Sequence, residues 1–312
     1  MPTYPGPVLP LRQPAPTALP EVEWTAQAAA HAERMDRWLV PHQERRRAGA
    51  AHPVHDFLFT YYSETPGRLR RWHPGAGAAL TGAVAAERLA WPFHAEVEAR
   101  TADGSIVRAV GLDVPAFLAK RAASVGWIEG LLRGTAGRPG QFGCFGMHEW
   151  AMLYRPEDGE VRHPLPLRLG QAGTDAVVES HRVQCSHIDA YRFFTRAGAP
   201  RNTLRPTRET QAAMDQPGCL HATMDLYKWA YKLGPAVPGA LLADCFALAA
   251  DVRELDMRAS PYDLSGHGYA PVAVETPEGK AEYVAAQRGF AARGAVLRER
   301  LLGVCEELLG AA

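Results

Sequence analysis

No run of about 18 or more apolar residues occurs in these 312 residues, and a membrane-spanning helix needs that length, so no membrane partner is expected. No two of the five cysteines (Cys144, Cys185, Cys219, Cys245 and Cys305) are spaced C-x-x-C, and their number is odd. A disulfide framework or a zinc knuckle is therefore not expected. There is also no excess of charge of one sign. Lys plus Arg is 34 and Asp plus Glu is 34. A protein that coats nucleic acid carries a basic excess, so any contact of that kind must rest on a local patch. Prolines crowd the first 20 residues, where a signal peptide would carry an apolar core. The expected location is the cytoplasm, where cysteines stay reduced.

Hydrophobic residues make up 47% of the chain, enough for a sizeable core. The Pro-rich segment 1–20 cannot form a helix interior and reads as an extended, poorly anchored arm. Residues 21–312 read as one globular domain. Helical spacing of Trp24, Ala28, Met35, Trp38 and Leu39 predicts a long helix over 21–49. A second helix is expected after Pro53, ended by Pro66 and Gly67. Two alternating runs around Asp103 and Gly104 predict a hairpin over 93–112, followed by a helix over 115–133. Strands are expected at 151–154, 164–169 and 176–186. The last third shows 3.6-residue periodicity over 220–233, 239–257 and 280–309. With no regular β-α-β alternation, the fold class is α+β, a mostly helical domain with a small, mainly antiparallel sheet.

If 178–189 is a strand, Glu179, His181, Val183, Cys185, His187 and Asp189 share one face. Four ionisable groups on one face suit metal ligation or acid–base work, although an exposed edge strand explains them too. His221 and Asp225 are four residues apart on a predicted helix, with Lys228, Trp229 and Lys232 near the same face. Glycines at 143 and 146 precede His148, Glu149 and Trp150, a polar pair presented at a turn. His52 and Asp56 repeat the i,i+4 spacing, and Asp56 fits equally well in a first helical turn. Between Tyr191 and Arg208 stand Arg192, Arg196, Arg201, Arg205 and Arg208 with no acid, interleaved with Phe193 and Phe194. Arginines grip phosphate and aromatics stack on bases, so a base- or phosphate-bearing substrate, DNA included, is a candidate partner.

The stretches HRVQCSHIDAYRFFT (181–195), CLHATMDLYKWAYKL (219–233), ELDMRASPYDL (254–264) and PVAVETPEGKAEY (271–283) resemble a group of actinobacterial proteins identified as 3-methyladenine DNA glycosylases. The similarity spans about residues 50–300. The resemblance implies a hydrolase of the N-glycosidic bond of an alkylated base. Asp189 or Glu149 would then activate water or stabilise an oxocarbenium-like sugar. The base would be flipped into a pocket lined by Trp150, Tyr191 or Trp229. A second reading is a metal-dependent oxidoreductase or hydrolase. Its candidate ligands for one divalent transition metal are His181, His187, Asp189 and His221, with Glu149 a further group of suitable type. A third is a non-enzymatic ligand-binding protein. On either enzymatic reading Asp189, Glu149, His187, His221 and Asp225 are the catalytic candidates, and His187, Asp189 and His221 are expected to converge.

Overall fold

The computed structural model describes residues 15–157, 159, 161 and 165–310. Its strands are β1 Thr17–Leu19, β2 Ala78–Leu80, β3 His94–Arg100 and β4 Ile106–Leu112. The α-helices are α1 Glu21–Arg47, α2 Phe57–Tyr61, α3 Pro66–Leu69, α4 Val114–Ala136, α5 Met147–Ala151, α6 Gly170–Ser180, α7 Ile188–Tyr191, α8 Gln211–Met214, α9 Leu220–Leu233, α10 Gly239–Arg258 and α11 Pro277–Leu309. The α+β class holds, with helices in the majority. None of the described helices is long and apolar enough to cross a membrane.

The small sheet is mixed, with its longest pairing antiparallel. β3 and β4 form the expected hairpin, and β2 adds antiparallel to β4. β1 then runs parallel to both β2 and β3 and closes the ring. Its interior holds Ala18, Ala79, Ala99 and Ala109, because four strands leave no room for larger side chains. A Cβ at Gly111 would stand 2.9 Å from the Val97 side chain. The expected arm is thus anchored at its end, where Thr17–Leu19 is a strand, while residues 1–14 lie outside the described residues.

α1 buries Trp24, His31, Met35, Leu39 and His42, one stripe at helical spacing, and lies on α10. Glu21 and Glu23 open it and Arg45, Arg46 and Arg47 end it, complementing the helix dipole. Asp113 and Thr276 cap α4 and α11 through their side chains, each followed by a proline in the first turn. Pro66 begins α3 rather than ending α2, because Thr65 caps it.

Two of the expected strands are absent. Residues 176–180 finish helix α6, and 151–154 leave α5 through turns. The run of 164–169 falls partly outside the described residues, and Leu167 makes an isolated bridge to Tyr262. Asp175 and Glu179 accept hydrogen bonds from Arg155, so the polar alternation of this stretch belongs to a helix surface.

The largest apolar cluster joins α1, α2, α4, α9, α10 and α11. Phe246 of α10 sits in it against Trp38, Phe59 and Tyr227. Phe246→Ala should therefore loosen four helices at once and cost about 3–5 kcal/mol. A urea-unfolding midpoint that moves by less than about 1 kcal/mol equivalent would show that these helices do not share one core.

Candidate functional site

Helix α5 begins at a tight reversal. Phe145 and Gly146 both have positive φ, 48° and 70°, and the turn delivers Met147, His148 and Glu149 straight into the interior. Such a backbone is strained for phenylalanine and natural for glycine. α10 brings Arg253 and Asp256, one helical turn apart, to the same place, and α9 brings His221 from its first turn.

Suitable atoms of His148, Glu149, His221 and Asp256 all lie within 4.8 Å of one another. His148 Nε2 is 2.8 Å from Asp256 Oδ1, and its Nδ1 is 3.8 Å from the Cys144 thiol. His221 Nε2 stands 3.8 Å from Asp256 Oδ2. Arg253 reaches only to 3.5 Å from Asp256 and 3.8 Å from Glu149, with its guanidinium stacked on Phe57. Asp256 Oδ2, His221 Nδ1 and Arg253 Nε and Nη2 are buried without a hydrogen-bond partner. Buried polar atoms are normally satisfied, so this group is under-bonded.

The electrostatics follow from burial. Burial and the neighbouring Asp256 carboxylate push the Glu149 carboxyl up to about 7, against the pull of Arg253 and His148. Burial, helped by the positive His148, takes His221 down to about 3, so it is a neutral imidazole. Burial alone would also lower His148, but the Asp256 carboxylate outweighs it and holds His148 well above its usual value.

A second group adjoins the first: His187, Asp189 and Asp225. The His187 and His221 rings stack at 5.7 Å, so the expected convergence of His187, Asp189 and His221 is present in outline. The route differs from the expected one, since His187 leaves an irregular segment and Asp189 lies in the single turn of α7. Here a cation is already in place. Lys228 Nζ lies 2.7 Å from Asp189 and 3.0 Å from Asp225. Arg208 adds a 2.7 Å contact to Asp189, and Tyr62 donates to Asp225. Burial opposes ionisation of both carboxyls, but these partners hold Asp189 far below the usual range and Asp225 at about 2.

Two cavities meet at these groups. One of about 40 Å³ touches Glu149, His221 and Arg253. One of about 680 Å³ opens beside it and is walled by Trp127, Trp229, Arg192, Arg208, Lys228 and Lys232, among others. Asp189 and Tyr61 line both and form the partition. The smaller has room for a water or an ion, and the larger lies in the range of small-molecule sites.

Of the residues singled out in the sequence, Glu149, His187, Asp189, Arg192, Arg208, His221, Asp225, Lys228 and Trp229 gather here. Five do not. His181 turns back to the Val177 carbonyl at 2.7 Å, because the strand that would have aimed it inward is a helix end. Trp150 is fully buried and donates to the Ala259 carbonyl, so it is core. Tyr191 packs edge-on against Phe194 and lines neither cavity. Arg201 donates to the carbonyls of Val178 and Glu179 at the end of α6, and Arg205 to those of Pro200, Asn202 and Leu204. Both brace backbone. His52 and Asp56 form a separate structural knot, in which Asp56 binds the His52 amide, Arg45 and His42.

Asp256, Arg253, Asp215 and Tyr62 were missed. A signal for the first two exists: an Arg and an Asp at i,i+3 in a helix otherwise rich in Leu and Ala, all on a stripe that must be buried. Comparison with known protein families, with curated proteins and with solved structures found no match.

His187 yields a test. Burial alone would lower its pKa, but Asp215 at 3.0 Å and Asp225 at 3.5 Å outweigh burial and raise it from 6.5 to about 10. A raised histidine stabilises the fold fully below pH 6.5 and loses that contribution as pH climbs through 10. His187→Gln should remove this part of the alkaline fall in stability. It should also cost about 3–5 kcal/mol at pH 6, because the buried Asp215 loses the cation bonded to it, while Asp225 keeps Lys228. Parallel urea titrations of both proteins from pH 6 to 10 read this directly, and identical slopes would refute the buried charge pair.

Proposed function

We propose that this protein is a metal-dependent hydrolase of the cytosol. His148, His221 and Asp256 would hold one divalent transition metal, the ion displacing the proton of His148 and leaving Glu149 free beside it, and an anionic, ring-bearing substrate would enter through the larger cavity. The observation that carries this reading is the contrast between the two neighbouring groups. Lys228 already neutralises Asp189 and Asp225 at hydrogen-bond distance, whereas Asp256 Oδ2 has no hydrogen-bond partner, with His221 Nε2 at 3.8 Å and Arg253 at 3.5 Å. Two ligands of one ion, each about 2.1 Å from it, span a gap of that size. Nitrogen and carboxylate donors suit zinc, iron or manganese.

A bound ion of this kind lowers the pKa of a water into the neutral range. Glu149, poised at about 7 and lining the small cavity, is placed to take the proton from that water and return it to a leaving group. Arg192, Arg208 and Lys232 face the larger cavity and would hold an anionic substrate group, while Lys228 is committed to Asp189 and Asp225. Trp127 and Trp229, edge to face at 5.3 Å, supply an apolar wall for a ring.

The resemblance to 3-methyladenine DNA glycosylases supports a second reading on the same geometry. A base flipped between these aromatic walls would bring its sugar beside Asp189. That carboxylate stays ionised, so it suits stabilising a positive sugar better than accepting a proton.

Metal analysis separates the two. Protein purified without an affinity tag or added metal should carry about one equivalent of a transition metal, as a one-ion site requires. His221→Ala and Asp256→Asn should lose it, and His187→Ala should keep it. A metal-free wild type, or equal loss in His187→Ala, removes the first reading. Release of 3-methyladenine from alkylated DNA by the chelator-treated protein, abolished by Asp189→Asn, would establish the second.

A further inference from the structure

The larger cavity does not end at its own walls. Arg121, Tyr231 and Lys232 also line a third cavity of about 350 Å³ on the far side. That cavity is bounded by Arg68 and Arg71, by His73, and by Trp91 and Phe93 just before β3. Tyr231, with its hydroxyl 3.4 Å from that of Ser63, stands where the two cavities adjoin.

Both compartments carry the same chemistry. Arg121 and Lys232 serve the two together, Arg68 and Arg71 the third cavity, and Arg192, Arg208 and Lys228 the larger one. Against these seven cations stand three carboxyl groups, Asp189 and Glu64 in the walls and Asp225 behind Lys228. Asp189 is neutralised by Lys228 and Arg208. Glu64 is pushed by burial towards its protonated form, and its Oε1 is buried without a partner. The chain as a whole has 34 cationic and 34 acidic residues, so this concentration is local. Each compartment also offers rings: Trp127, 43% exposed, at one end, and Trp91 with Phe93 at the other. Phe93 has φ 62°, a conformation that costs a bulky residue about 1–3 kcal/mol and is tolerated chiefly where it positions something. Arg88 stacks on the Trp91 ring at 3.7 Å and Arg71 lies over it at 5.3 Å, so this compartment sets cations beside a tryptophan ring that they partly cover.

A cation beside an aromatic plane, repeated in adjoining compartments, matches a ligand that repeats an anion beside a ring. We propose that the two cavities form one groove for two phosphate-linked nucleotides, one in each compartment, with Arg121 and Lys232 at the phosphate between them. The ligand is a free dinucleotide or a stretch of single strand, since both present this unit. The inference rests on the reading of the larger cavity as the substrate site and extends it to a second nucleotide.

Binding of three probes to the full chain tests it: thymidine monophosphate, the 5′-phosphorylated thymidine dinucleotide and an eight-residue oligothymidylate. The dinucleotide should bind at least about tenfold more tightly than the mononucleotide, since a stacked base adds about 1–3 kcal/mol. Arg71→Glu, and separately the exposed Arg68→Glu, should erase that advantage while leaving mononucleotide affinity within about twofold, because both lie outside the larger cavity. A further gain with the oligonucleotide identifies a single strand as the source, and none identifies a free dinucleotide. Equal affinity for the first two probes, or an advantage that survives both substitutions, overturns the groove. If none of the three probes binds, the anionic-substrate reading of the larger cavity falls with it, and metal content, measured separately, reports on the ion site alone.

Discussion

The carboxylate of Asp256 is wholly shut away from solvent, and an ion in that position persists only where opposite charge surrounds it. Much of the helical arrangement meets that demand. α5 enters through a strained reversal so that His148 can reach Asp256, α10 carries Arg253 one turn before it, and α9 turns His221 towards its second oxygen. His148 and Asp256 lie 108 residues apart in sequence with His221 between them, and a single buried charge makes the relative placement of their helices matter. Trp150, on the next residue after Glu149, locks α5 to the end of α10 through the Ala259 carbonyl. The apolar core and the polar group are therefore held by the same contacts.

Only part of this was legible in the sequence. Long helices announce themselves by periodicity, and α1, α4, α9, α10 and α11 lie where the spacing places them. The hairpin was equally plain, because alternation and an Asp-Gly turn agree. Residues 176–186 misled because a short amphipathic helix and a two-faced polar strand have similar composition. The helix ends at Ser180, so the alternation counted across it had no physical meaning. Asp189, His187, His221 and Asp225 were still found, since their residue types are right whatever backbone carries them. Their grouping was not, because the division into two clusters depends on where Lys228 and Arg253 point. Spacing along a chain does not encode that.

The two clusters illustrate how one cation changes the chemistry available to buried acids. Lys228 gives Asp189 and Asp225 a permanent counter-charge, and both remain ionised over the whole neutral range. Arg253 is held back on the Phe57 ring, and Glu149 beside it is left near its titration point. One group is a fixed electrostatic wall and the other has a carboxyl near its titration point. They lie side by side, with the Asp189 and Tyr61 side chains between the open cavity and the inner one.

The alanine-lined ring near the N-terminus has a consequence for how the chain assembles. β3 and β4 are neighbours in sequence, but β1 must find β2 across some sixty intervening residues, including all of α1. Closing so long a loop is entropically costly, and the return is three residue pairs. Loop entropy thus favours a hairpin that forms early and an N-terminal strand that docks after α1 is laid against α10. A seam of three residue pairs is a candidate place for local opening that leaves the helices folded. Amide exchange at Thr17 and Thr81, which bond across that seam to Gly77 and Leu19, would be far faster than in α10, and equal protection would contradict the order given.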